Sequence, residues 1–192
     1  DILLIADEVM TGFGRTGFKF SCEDYKIKPD IMIAGKGMSS GYAAISGTYS
    51  TDKIANSIMD AGYLVMFHTF AALPLSCAAA SSVLQILRRE ELCEKVGPLG
   101  EKLKQKLTDA LGNHPLVAEI RGKGLLIGIE IVKDKEKLIS FDEQERITDQ
   151  IISNGLDEGV LFYPGGTGEY RDIVCLGPPY IIGEEEIDLI VD

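Results

Sequence analysis

The sequence predicts an α/β fold: part of a large domain built on a parallel sheet, followed by a small α+β domain. Three observations carry this expectation. Residues 2–6 form an unbroken apolar run ending in Asp7-Glu8, the pattern of a strand covered on both faces in a parallel sheet. A second short apolar run, Ile31–Ala34, follows Pro29-Asp30 and stops at Gly35-Lys36-Gly37. Further along, two longer apolar runs flank Gly122-Lys123-Gly124, which indicates a hairpin or a bent strand pair. The expected division places residues 1–85 in the large domain. Residues 86–192 then hold a linking helix and the small domain.

The remaining elements follow in order. Residues 10–20 are a Gly/Thr-rich loop, and Ala43–Tyr49 is expected as a third strand. Residues 51–60 read as a short helix with Thr51 as N-cap. Pro74 opens an Ala-rich helix to about Arg88, placed where a helix start tolerates proline. From Glu90 to Leu111, apolar residues recur at Leu92, Val96, Leu99, Leu103, Leu107 and Leu111, an amphipathic helix despite Gly97-Pro98. Phe141 to Asn154 is expected to be helical. Val160–Tyr163 and Ile173–Leu176 are short strands around the loop Pro164–Asp172. The last ten residues read as the opening turns of a helix. A buried first strand needs neighbours and cover, so the chain is expected to be a fragment of a longer polypeptide.

Composition narrows the function. The 192 residues are 45% hydrophobic, too apolar for a disordered chain. No apolar run approaches the roughly 18–20 residues of a membrane span. The net charge is −11, which argues against nucleic acid or an anionic membrane as the main partner. Cys22, Cys77, Cys93 and Cys175 are widely spaced and form no C-x-x-C pair. They are expected to be reduced thiols, as in a cytoplasmic protein. His68 and His114 have no neighbouring ligand partner, so no metal site is expected.

Four motifs carry chemistry. Gly12-Phe13-Gly14-Arg15-Thr16-Gly17 matches a dinucleotide fingerprint, but no helical period follows it and Asp7-Glu8 place negative charge where a phosphate would arrive. A Walker phosphate loop fails too, because Phe18 follows Gly17. Asp7 ends a strand, where the ligand crevice of an open α/β sheet lies; its plainer reading is a solvated acid. A carboxylate there can pair with a cationic ring nitrogen of a cofactor. Lys36 ends an apolar run between two glycines; such a lysine is either a surface charge or an amine able to attack a carbonyl. His68-Thr69-Phe70 precedes the Pro74 helix, as an ordinary turn or as a phosphate site.

Together the order is more specific than its parts. Ala6-Asp7-Glu8-Val9, the loop Thr11–Gly17, Pro29-Asp30, Lys36, His68-Thr69-Phe70, Pro74 and Cys77-Ala78-Ala79-Ala80 strongly resemble the class-III aminotransferases. These are the ω-transaminase branch of the fold-type-I pyridoxal phosphate (PLP) enzymes. The resemblance covers essentially the whole chain and implies the C-terminal half of such an enzyme. It implies that Asp7 pairs with the pyridine nitrogen, that Val9 packs on the cofactor ring, and that Lys36 forms the Schiff base and carries the proton afterwards. It implies that Thr69 reaches the cofactor phosphate of a neighbouring subunit, hence a homodimer with shared active sites. Glu8 and Arg15 read as structural or loop-positioning residues.

Departures from the pattern bear on the substrate. Ala71-Ala72-Leu73 stands where the family usually has Ser-Gly-His. Members that use 2-oxoglutarate commonly carry an arginine three residues before a Pro-Pro pair. Here the pair is Pro178-Pro179 and the position is Cys175, which cannot form the bidentate carboxylate fork. The resemblance therefore implies an amine or ω-amino acid donor and a 2-oxo acid acceptor such as pyruvate. Arg171, upstream in the loop, is a candidate for the substrate carboxylate, its plainer reading being a solvated loop charge. Another PLP reaction on the same scaffold, such as decarboxylation or aminomutation, remains open, as does a fragment without catalytic competence.

Overall fold

The structure, a computed structural model, describes residues 2–64, 68–168 and 171–192. It forms two compact units, residues 1–94 and 95–192.

The first unit is built on a three-stranded sheet in the order β1 (Ile5–Asp7), β2 (Ile31–Ala34), β3 (Gly47–Ser50). β1 and β2 are parallel, with Asp7 opposite Ile33. β3 is antiparallel to β2, because the connection 35–46 holds only a 3-10 turn at Lys36–Met38 and no crossover helix. The expected strand at Ala43–Tyr49 therefore begins later, at Gly47. The one-turn α1 (Ser21–Asp24) follows the glycine-rich loop, and α2 (Asp52–Asp60) follows β3. Thr51 precedes α2 in an extended conformation, but its side chain makes no capping hydrogen bond. α3 (Pro74–Arg89) starts on its proline. Its Ala80 joins Phe13, Ala34 and Met38 in a small apolar cluster, with Phe20, Ile45 and Leu87 packed against it.

β1 departs from the expectation of burial. Ile2 is 98% exposed, and Leu3, Leu4 and Ile5 are about half exposed. Among the described residues β1 has a strand on one side only, so apolar residues that suit a covered strand lie at an open edge.

The second unit carries a four-stranded antiparallel sheet. Its order is β4 (Val117–Lys123), β5 (Leu126–Ile131), β7 (Ile173–Leu176), β6 (Tyr163–Gly165). β4 and β5 make the hairpin expected around Gly122-Lys123-Gly124, closing at the Lys123↔Leu126 pair. α4 (Leu92–Leu111) keeps its helical course through Pro98. Its Val96, Leu103 and Leu107 pack with Ile127, Ile129, Ile131, Val174 and Leu176 of the sheet and with Ile187 of α6 (Glu184–Val191). Lys102 pairs with Glu184, and Lys106 with Asp188, along the polar rim of the same helices.

The expected helix at 141–154 is two pieces. A 3-10 turn at Glu143–Glu145 is capped by Asp142, whose side chain accepts the Gln144 N–H, while Glu145 accepts the Asp142 N–H. Arg146 then adopts a left-handed conformation, φ 45°, and α5 (Ile147–Asp157) begins. β6 starts at Tyr163 rather than Val160, and residues 169–170 of the loop before β7 lie outside the described residues. Among the described residues no helix is long and apolar enough to cross a membrane.

Candidate active site

Parallel pairing sends β1 and β2 to the same edge of the sheet, so Asp7 and Lys36 leave adjacent strands at their carboxyl ends. Asp7 is exposed, and its Oδ1 accepts the Val9 N–H at 3.0 Å. This local turn holds the carboxylate at the strand end and leaves Val9 half-buried beside it.

Glu8 behaves oppositely to Asp7. It is 2% exposed and turns inward to staple the following loop. Its Oε1 accepts the Cys22 N–H at 2.7 Å, and its Oε2 accepts the Ser21 N–H at 3.0 Å and the Thr11 hydroxyl. Its own N–H continues the ladder to the Ile33 carbonyl at 2.8 Å. Burial pushes the Glu8 carboxyl upward, but the hydrogen bonds from Thr11, Cys22 and Ser21 outweigh it and hold it below the ordinary range. For Cys22, burial and then the neighbouring Glu8 push the thiol up. Of the two adjacent acids, Asp7 at the end of β1 is thus exposed, and Glu8 is buried in hydrogen bonds to the loop.

Lys36 starts the 3-10 turn with φ 39°, a left-handed conformation that costs a non-glycine residue of order 1 kcal/mol. The surroundings impose it. Gly35 is buried, Met38 anchors the turn in the apolar cluster with α3, and Ser39 Oγ donates to the Ala43 carbonyl at 2.6 Å. Gly37 admits the loop after β1, since a Cβ there would lie 3.1 Å from Phe13 Cβ. The Lys36 side chain emerges exposed, and its Nζ donates to Met10 Sδ. Nothing in the sequence order signals that contact, because the residues are 26 apart.

The other expected site residues belong to other elements. Thr69 is exposed in the turn before α3, where the Ala71 N–H donates to the His68 carbonyl at 3.0 Å. Among the described residues no hydrogen bond joins Thr69 to Asp7, Val9 or Lys36. Arg171 is in the second unit and is engaged: Nη1 donates to the Gly168 carbonyl at 2.9 Å and Nη2 to the Phe141 carbonyl at 3.0 Å. Next to it, Asp172 is buried, with Oδ1 accepting from Thr148 Oγ1 at 3.3 Å. Cys175 is half-buried on β7, opposite Gly128. Burial pushes its thiol up against a smaller opposing pull from Arg121, so the position holds a neutral thiol at neutral pH.

The comparisons with known proteins agree with one another. The family model for class-III aminotransferases matches residues 1–192. An uncharacterised aminotransferase of Bacillus subtilis is 37% identical, the match covering 100% of this chain and 44% of that protein. The taurine–pyruvate aminotransferase of Bilophila wadsworthia is 35% identical over 100% of this chain and 43% of its own length. The ω-transaminase of Pseudomonas jessenii, solved in complex with PMP, superimposes with a TM-score of 0.88 at 33% identity, covering 100% of this chain and 42% of that one. The fold is accordingly that of the fold-type-I transaminases, and the chain spans less than half the length of the curated relatives it matches. The donor set at the sheet edge fits the family's cofactor: an exposed carboxylate is the acceptor that a protonated ring nitrogen needs, and an exposed primary amine is the nucleophile that an aldehyde needs.

Proposed function

Because the chain belongs to the class-III aminotransferases, whose cofactor is PLP, we propose that it transfers an amino group from an amine or ω-amino acid to a 2-oxo acid. One observation carries the residue assignment. Lys36 lies three residues beyond Ile33, the register partner of Asp7, so an amine and a carboxylate leave neighbouring parallel strands at one edge. The bound cofactor supplies an aldehyde and a cationic ring that draws electrons from the donor carbon. Asp7 holds the proton on the ring nitrogen. Val9, half-buried after the Asp7 turn, gives the ring a hydrocarbon neighbour. The Nζ of Lys36 would be the covalent anchor for the cofactor aldehyde and, when released, would carry the proton between the donor carbon and the cofactor carbon that bore the aldehyde.

Pyruvate is the acceptor we favour. The neutral Cys175 supports this reading, as does the taurine–pyruvate aminotransferase among the relatives. Arg171 would reach a substrate carboxylate only by releasing the Gly168 and Phe141 carbonyls. Thr69, in its exposed turn, is proposed to bind the cofactor phosphate of a second copy, which makes the working unit a homodimer.

The test is addition of PLP, borohydride reduction and peptide mass mapping, with Lys36→Ala as control. A pyridoxyl adduct confined to Lys36 is expected. Scattered or absent labelling of the folded protein would refute the assignment. An acceptor series comparing pyruvate with 2-oxoglutarate then reads the specificity, and equal use of both would remove the argument from Cys175.

A further inference from the structure

Met10 has no part in the roles given so far, yet its sulfur is the partner of the lysine on which they depend. Two separate constraints bring the pair together. The Gly12 N–H donates to the Glu8 carbonyl at 2.9 Å, closing the turn that contains Met10, and the buried Glu8 carboxylate ties that turn to residues 21 and 22. The backbone therefore places Met10, whose side chain is 50% exposed and is not held by burial. On the other side, buried Gly35 and Met38 fix the strained turn from which Lys36 projects. Among the described residues no ion pair holds Lys36; its Nζ donates to Met10 Sδ. A thioether is an uncharged, polarisable and weak acceptor.

We propose that Met10 is a positioning residue for the Lys36 amine: its sulfur holds Nζ beside the loop that follows β1 whenever the amine is not covalently engaged, without placing a charge next to it. The inference rests on Lys36 being the covalent lysine. A carboxylate at position 10 would stabilise the ammonium form and suppress the nucleophile. Leucine would fill similar space and offer no acceptor. The thioether lies between these, strong enough to set where the amine rests and weak enough to release it.

The test is NMR of the full-length protein labelled with 13C-methyl methionine, without PLP. Loss of one signal in Met10→Leu assigns the Met10 methyl. That signal is expected to move with pH at the midpoint of Lys36, measured independently from the pH dependence of Lys36 acetylation by mass mapping. The movement should vanish in both Lys36→Ala and Lys36→Arg. Met10→Glu should slow Lys36 acetylation at neutral pH about tenfold or more, the effect of an opposite charge at close range, whereas Met10→Leu should not. A Met10 methyl that stays flat through the Lys36 midpoint, or still moves in both Lys36 variants, overturns the inference. If PLP and borohydride label Lys36 while the methyl stays flat, the Met10 role falls and the proposed function stands; if Lys36 is not labelled, both fall.

Discussion

Glu8 and Cys22 are 14 residues apart and are joined by a 2.7 Å hydrogen bond from the Cys22 N–H to Glu8 Oε1. That bond, with those from Ser21 and Thr11, makes a buried carboxylate the organiser of the loop between β1 and α1. The loop carries Val9 and Met10, so its closure sets what surrounds Asp7 and Lys36.

Glu8→Gln should destabilise the protein. An amide keeps one acceptor oxygen, and its NH2 group then faces donors it cannot satisfy. Leaving buried groups unpaired costs about 1–3 kcal/mol. Equilibrium urea unfolding checks this: the midpoint should fall with an unchanged slope. An unaltered midpoint would mean that the loop does not depend on the staple.

The same carboxylate sets an acid limit. Its native pKa lies below its unfolded one, so the unfolded chain takes up the proton more readily. The staple's contribution is complete above the unfolded value of about 4.3 and disappears as pH falls through the lowered native value. Stability should therefore drop on acidification across that window, and Glu8→Gln should flatten this part of the profile. Thermal unfolding followed from pH 7 to pH 3 measures both slopes.

Gly37→Ala should loosen the lysine turn. The new Cβ would lie 3.1 Å from Phe13 Cβ and 3.4 Å from the Gly12 carbonyl oxygen, so the loop or the turn has to give. Overpacking of this kind costs about 1–3 kcal/mol, and the yield of pyridoxyl label on Lys36 should fall with it. Gly128→Ala is the control. It lies in β5, where the nearest atom to the new Cβ is an Ile173 methyl at 3.4 Å, an ordinary contact, and should be neutral or stabilising by roughly 0.5–1 kcal/mol. Equal losses in the two variants would refute the argument.

Arg171→Ala should free the segment before β7, because both guanidinium contacts are to backbone carbonyls. Limited proteolysis in that loop should speed up at least several-fold. Arg171→Lys should not restore protection, since an ammonium cannot reproduce the two-armed geometry. The KM for the 2-oxo acid decides between the roles: it stays within about twofold if Arg171 only positions the loop. A rise of tenfold or more, about 1.4 kcal/mol, would assign it to the substrate carboxylate.

The elements legible in the sequence are those whose signals are local. β2 matches its apolar run, α3 begins on its proline, and the β4–β5 hairpin forms around its glycines. The one long helix that broke did so at Arg146, where a capped 3-10 turn interrupts an apolar pattern that periodicity alone reads as continuous. The placement of Asp7 and Lys36 at strand ends was legible because a strand end is visible as the end of an apolar run.

By itself the sequence determined the family, the cofactor chemistry and the order of the strand ends that carry an acid and an amine, since these reside in residue identity and short-range pattern. Tertiary structure alone decided which of two adjacent acids is exposed. Glu8 is buried because donors from residues 11, 21 and 22 converge on it, while Asp7, one residue earlier, stays at the open edge. It also decided that β3 runs antiparallel and that the Lys36 amine rests on Met10. Each of these depends on backbone paths that bring distant residues within a few ångströms, and no local periodicity encodes that.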